Sequence, residues 1–324
     1  MRPSIPIALG CAAALALPLA AAPAQAAPER RTYLIEPSGP AADDVYPEGI
    51  ATRGRNFFVG STTDGTIYRG NLPRPAARPF LPGGEDGRAS AIGLKVDDGK
   101  LFVAGGATGR FFIYGIGSRD LVGAFRVSPP PSTSAPTFIN DAAVAPDGSV
   151  YITDSVRPVL YRIGPRQYET DGVRRLQVFL DFTGTALEYT AGFNVNGIAA
   201  SADGRFLVLA KSNTAELFRV RVRDGQVRRI DLQGGSVAGD GLVLTGRRLY
   251  AVERVGDLGR VVKIRLSEDL RSGRIVRRVT DPTFDDPTTA AIADNRLLVV
   301  NSQFGERAAG ETPDPFTVSS IPLP

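Results

Sequence analysis

The chain has 324 residues, 43% of them apolar, with 38 basic and 34 acidic side chains and a formal charge of +4. That is ample material for a large core, and length alone allows one to about three domains. There is no histidine and a single cysteine, which excludes Ser-His-Asp and Cys-His catalytic units, a histidine-held zinc and a histidine proton shuttle.

Residues 1–26 read as a secretory signal peptide. Arg2 is the only charge, an apolar run extends from Ile5 to Ala22, and Ala24-Gln25-Ala26 provides a small-residue cleavage site before Ala27. The run is short and broken by Pro18 and Pro23, which disfavours a membrane anchor. Leu9-Gly10-Cys11 has the look of a lipidation site, but the apolar run continues well past it. The expectation is a secreted or extracytoplasmic protein without stable membrane insertion. Its mature part, 27–324, is a single domain. It has no cysteine, so it has neither a disulfide nor a thiolate metal site. It carries 37 basic against 34 acidic residues. The arginines are scattered singly or in pairs with no basic stripe interleaved with aromatics, which fits solvated outer strands rather than nucleic-acid binding.

A short strand, Thr32–Glu36, stands ahead of a repeating unit seen most clearly in Asn196–Ala210. There an apolar strand, the turn Asp203-Gly204 and a second apolar strand follow one another; Asp-Gly between β-rich runs is a strong hairpin signal. The unit starts at Glu48, Ile92, Asn140, Asn196, Asp240 and Thr288, spaced 44, 48, 56, 44 and 48 residues apart. A period of this size built of short strands predicts an all-β fold, a six-bladed β-propeller with one blade per repeat. Pro-rich Ser128–Pro136 is a connector between blades, because the next repeat begins on schedule. Two stretches, Gly164–Arg175 and Thr183–Phe193, lengthen the third blade. The sixth blade lacks a fourth strand while the N-terminus has one to spare, so Tyr33–Glu36 is predicted to close the ring as its outer strand, removing two open edges. Nothing reads as a helix longer than about ten residues.

The first positions of the repeats carry the chemistry. In a propeller they lie where the innermost strands begin, facing the central channel at similar height. Four of the six, Glu48, Asn140, Asn196 and Asp240, bear carboxylate or carboxamide oxygens. Two readings are open. They form a hard divalent-cation site, with waters completing the shell, or they satisfy backbone groups at the channel mouth, as Asn and Asp do at strand starts. Without histidine or cysteine, any ion must be held by oxygen, which favours calcium or magnesium.

Glu48-Gly49, Asn140-Asp141, Asn196-Gly197 and Asp240-Gly241-Leu242 resemble the four metal-site motifs of the senescence-marker-protein/gluconolactonase family. That family includes sugar lactonases and calcium-dependent phosphotriesterases and is related more distantly to paraoxonases and strictosidine synthases. The resemblance covers essentially the whole mature chain and is most specific over Asn196–Ala210. It implies a six-bladed propeller with one channel-bound divalent cation, most often calcium, with Glu48, Asn140, Asn196 and Asp240 as ligands or near-ligands. It further implies action on a small ester or lactone, whose carbonyl the ion polarises, with Asp240 as base or nucleophile; separately, the chain is expected to be a monomer. The sequence departs from the family in two places. Phe138 stands where the sugar lactonases carry arginine, which favours a more apolar substrate, and Lys211-Ser212 replaces the usual Asp-Ser that Asp154-Ser155 retains. Phe138, Phe193 and Phe304 are candidate apolar walls or inter-blade packing. The alternative function is a non-catalytic binding propeller with a structural cation.

Overall fold

The computed structural model describes residues 1, 31–37, 44–255 and 259–324. Apart from its first residue, the predicted signal peptide, with Cys11, lies outside them. Strand β1 (Arg31–Ile35) precedes the repeats. The first repeat folds as β2 (Pro47–Arg53), β3 (Asn56–Ser61), β4 (Ile67–Asn71) and β5 (Ala76–Leu81). The second gives β6 (Leu94–Asp97), β7 (Lys100–Ala104), β8 (Arg110–Gly115) and β9 (Leu121–Arg126). The third gives β10 (Ile139–Val144), β11 (Val150–Asp154), β12 (Val159–Ile163), a short β13 (Val173–Arg175) and β14 (Gln177–Asp181). The fourth gives β15 (Val195–Ala200), β16 (Phe206–Lys211), β17 (Glu216–Arg221) and β18 (Gln226–Arg229), trailed by β19 (Asp231–Gln233). The fifth gives β20 (Leu242–Thr245), β21 (Arg248–Glu253), β22 (Arg260–Leu266) and β23 (Ser272–Val279); the sixth gives β24 (Pro287–Ala293), β25 (Arg296–Asn301) and β26 (Thr317–Pro322). The one α-helix among the described residues, α1 (Phe304–Ala309), is six residues long, and no helix there is long and apolar enough to cross a membrane.

Each repeat is an antiparallel run in chain order, and β1 joins the last of them, pairing antiparallel with β26 so that Tyr33 faces Val318. The turns follow from local chemistry. At Asp203-Gly204 the glycine takes φ 69, a left-handed conformation that costs little only without a Cβ. Asp203 accepts hydrogen bonds from the Arg205 amide (3.0 Å) and the Ser201 hydroxyl (2.6 Å); these hold its carboxyl down at about 2. Asp64 and Asp147 brace their turns in the same way, through the amides of Thr66 and Ser149.

The core is divided among the junctions between runs. Six apolar clusters fill them: Tyr33, Phe57 and Val300 between the sixth and first runs, Phe58 and Leu101 between first and second, and Phe111 and Ile152 between second and third. Tyr151 and Leu207, then Val208 and Leu249, then Tyr250 and Leu297 continue the circuit. The first strands neighbour one another in the same cyclic order, β2, β6, β10, β15, β20, β24 and back to β2.

The sequence did not foretell the short parallel strands. Gln226–Leu232 reads as one strand, but it breaks at Ile230, and β19 crosses to pair with β23 of the next run. The insertion after β12 contributes β13, which pairs with β9 of the run before, and β1 pairs on its far side with β5. These parallel pairs occupy alternate junctions: sixth–first, second–third and fourth–fifth.

Candidate metal centre

Glycine draws the first positions together. Each of Gly49, Gly93, Gly197 and Gly241 directly follows a first-position residue and packs against the next run. A Cβ at these four sites would overlap the Ile92, Asn140 and Asp240 carbonyl oxygens and the Thr289 side chain in turn. The Gly93 amide donates to the Asn140 carbonyl at 2.9 Å, and the Gly241 amide to the Thr288 carbonyl at 2.8 Å. Inner strands this close place Glu48, Asn140 and Asn196 around one small cavity of about 10 Å³, with Lys95, Asp141 and Thr289. Asp240 adjoins it, close enough to Asn196 and Glu48 to interact with both.

Three oxygens of this group are buried without a hydrogen-bond partner: Oε2 of Glu48, Oδ1 of Asn140 and Oδ1 of Asp240. An orphaned buried oxygen is costly and calls for a reason. For Asn140 the orientation is determined. The Ser155 hydroxyl donates to the Val195 carbonyl (2.7 Å) and accepts from Asn140 Nδ2 (2.9 Å), so the amide oxygen is the atom left unbonded. Of the other three first positions, Asn196 carries a carboxamide and two offer no free oxygen. Ile92 is apolar, and Thr288 donates to the Glu48 carbonyl at 3.0 Å.

Burial, then the negative charges of Asp240 and Asp141, hold the Glu48 carboxyl well above the ordinary carboxylate range, with Lys95 pulling it back. Burial raises Asp240 to about 7. Arg254 and Asn196 oppose that shift, while Asp141 and Asp286 add to it. Lys95 is occupied by Asp141 at 3.0 Å. Two carboxyls that resist ionisation beside three unbonded oxygens match the donor chemistry of a hard cation, which favours such oxygens and stabilises their charge. Among the described residues, no group of three or more carboxylate, histidine or cysteine side chains is placed to hold a metal. A centre here must therefore draw on carboxamide as well as carboxylate oxygens.

The raised Asp240 sets a pH signature for chelator-treated protein. A carboxyl whose folded value exceeds its unfolded one favours the fold while protonated, and that contribution disappears as pH rises through the folded value. The melting temperature of the chelated chain should therefore fall between about pH 4 and pH 7, and Asp240→Asn should flatten that fall. A thermal series over this range with both proteins checks it.

Several supporting residues escaped the sequence reading. Glu253, 1% exposed, accepts from the Ala238 amide (2.7 Å) and pairs with Arg260 (2.6 Å), fixing the segment that leads into Asp240. Arg254, anchored by Asp286 at 2.6 Å, lies against the Phe304 ring. Lys95 falls three residues after Ile92, and nothing in its surroundings along the chain marks it as channel-lining. The Asp154-Ser155 pair was visible, and its function is now specific: Ser155 orients Asn140, while Asp154 accepts from the Phe138, Val156 and Arg157 amides. At the rim, Phe138 and Phe193 meet edge-to-face at 4.9 Å, and Phe193 remains 54% exposed. Phe304 packs against the sixth–first core instead.

No protein-family model matches the chain, and no curated protein does. Solved structures do. A gluconolactonase from Xanthomonas campestris superposes with a TM-score of 0.59 at 16% identity over 87% of each chain. Regucalcin from Agrobacterium tumefaciens, a calcium-binding protein, gives 0.57 at 15% identity over 85% of this chain and 90% of its own. The WD40 β-propeller domain of Doa1 gives 0.54 at 13% identity over 85% and 78%. At such identities the likeness establishes the fold alone: all-β and propeller-like.

Proposed function

We propose that the chain is a secreted six-bladed β-propeller, closed by β1 as the outer strand of its last blade, and that it is a monomeric divalent-cation-dependent hydrolase of small lactones or esters. The observation that carries this reading is the set of unbonded buried oxygens on Glu48, Asn140 and Asp240. The cyclic succession of inner strands supports the blade count, and the gluconolactonase and regucalcin likenesses support the reaction class and calcium. Glu48, Asn140, Asn196 and Asp240 would hold the ion. Bound there, it would act as a Lewis acid on the scissile carbonyl.

The chain's own residues supply the rest. Asp240, near Asn196 and Arg254, is the group able to take a proton from an attacking water, or to attack directly. Asn140, fixed by Ser155, holds its oxygen steady. Phe138 and Phe193 offer the apolar part of a substrate a surface at the rim. Purified protein with calcium should turn over members of a lactone and aryl-ester panel, and chelation should abolish turnover. Calcium should also raise the melting temperature of the chelated protein by several degrees, following mass action. Glu48→Gln should reduce that rise to under about a third. A calcium-insensitive melting point together with chelator-resistant hydrolysis overturns the reading.

A further inference from the structure

At the opposite ends of the strands from Glu48 lies a larger concavity, about 680 Å³, whose lining includes Arg69, Arg74, Arg78, Arg119 and Phe80. It is formed by the β4–β5 hairpin, the turn between β8 and β9, and the end of β1. Its volume falls in the range of small-molecule sites.

The positive charge in this groove is concentrated at some cost to the fold. Arg69 stands directly opposite Arg78 across the β4–β5 pair, an arrangement that is unfavourable for like charges. Arg119 sits at φ 67, a backbone conformation that non-glycine residues rarely adopt. Two guanidinium groups flank one ring: those of Arg69 and Arg119 lie 4.8 and 5.0 Å from the centroid of Phe80, itself 4% exposed. Stacking holds their planes while leaving N–H groups for a ligand. Arg78 is neutralised by Glu36 at 2.8 Å. Arg69, Arg74 and Arg119 have no ion-pair partner among the described residues. Asn56 and Asn71, joined by a 3.0 Å hydrogen bond, add neutral polar groups to the same wall.

We infer that this groove is a binding site for a small multivalent oxyanion, gripped by Arg69, Arg74 and Arg119 over the Phe80 ring. Guanidinium forks match carboxylate and phosphate geometry alike, so either kind of group is accommodated. The groove also borders the β1–β5 pairing, where Leu34 donates to the Pro75 carbonyl and Glu36 to the Ala77 carbonyl, both at 2.9 Å.

The test uses the mature chain in 0.15 M salt and titrates tripolyphosphate, citrate and a uronate hexasaccharide calorimetrically, each paired with a thermal melt. One site per chain is expected for at least one probe, and the probe that binds tightest identifies phosphate or carboxylate as the source chemistry. The triple variant Arg69→Gln, Arg74→Gln, Arg119→Gln should weaken binding at least ~10-fold and cancel the melting shift. A control of equal charge loss elsewhere, Arg175→Gln, Arg228→Gln, Arg277→Gln, should change affinity by less than ~2-fold, because well-separated surface charges are screened. Absence of binding by all three probes, or equal loss in the two triple variants, overturns the site.

Discussion

Asp240→Asn is expected to lower kcat for lactone or aryl-ester hydrolysis by about 10²–10⁴-fold while leaving the fold intact. The substitution keeps the shape of the side chain, but an amide cannot accept a proton from water near neutral pH. It also removes one of two carboxyls whose ionisation burial opposes in the ion-free chain, so the variant should not melt below the wild type after chelation. That pairing of results distinguishes lost chemistry from lost structure. Turnover within twofold of wild type, on a substrate that the parent hydrolyses, would dismiss Asp240 from the reaction.

Removing residues 27–37 should produce the largest loss of stability. Tyr33 and Ile35 are 2% and 1% exposed. The Tyr33 ring lies 5.0 Å from Phe57, and its hydroxyl donates to the Leu72 carbonyl at 3.2 Å. Tyr33→Ala alone should cost about 3–5 kcal/mol, as aromatic truncations in cores do, lowering the melting temperature by roughly 5–15 °C. The deletion should exceed this, since it also leaves β26 and β5 with unpaired edges that favour aggregation. A deletion protein that melts with the parent and stays monomeric would refute the closing role of β1.

Much of this was legible because the repeat is enforced by stereochemistry. Asp-Gly turns and apolar strands recurring at a steady period located the runs. Glu48, Asn140 and Asn196 could be grouped from register alone, because equal positions in equal repeats face a shared axis. The supports could not be grouped that way. Lys95 joins the cavity through one strand's pleat, and Arg254 acts on Asp240 from just beyond β21; neither has a counterpart at the same place in other repeats. β13 and β19 were hidden for a similar reason. A three-residue strand has almost no periodicity, and what stabilises it is the neighbouring edge rather than its own residues.

The alternation of those short strands divides the molecule unequally. Junctions sixth–first, second–third and fourth–fifth carry parallel strand pairings between neighbouring sheets, whereas the other three have side-chain packing and isolated backbone hydrogen bonds, such as Ala91 to Ser61, Asn194 to Ser155 and Gly241 to Thr288. Motion should therefore partition into three stiffer couples that flex against one another about the seams without a strand pairing. Strands β1 and β26 lie within one couple, so the largest fluctuations fall away from them, and Glu48, Asn140, Asn196 and Asp240 are contributed by all three couples at once. Tightening around a bound guest at these residues would then be a three-jawed movement rather than a uniform contraction.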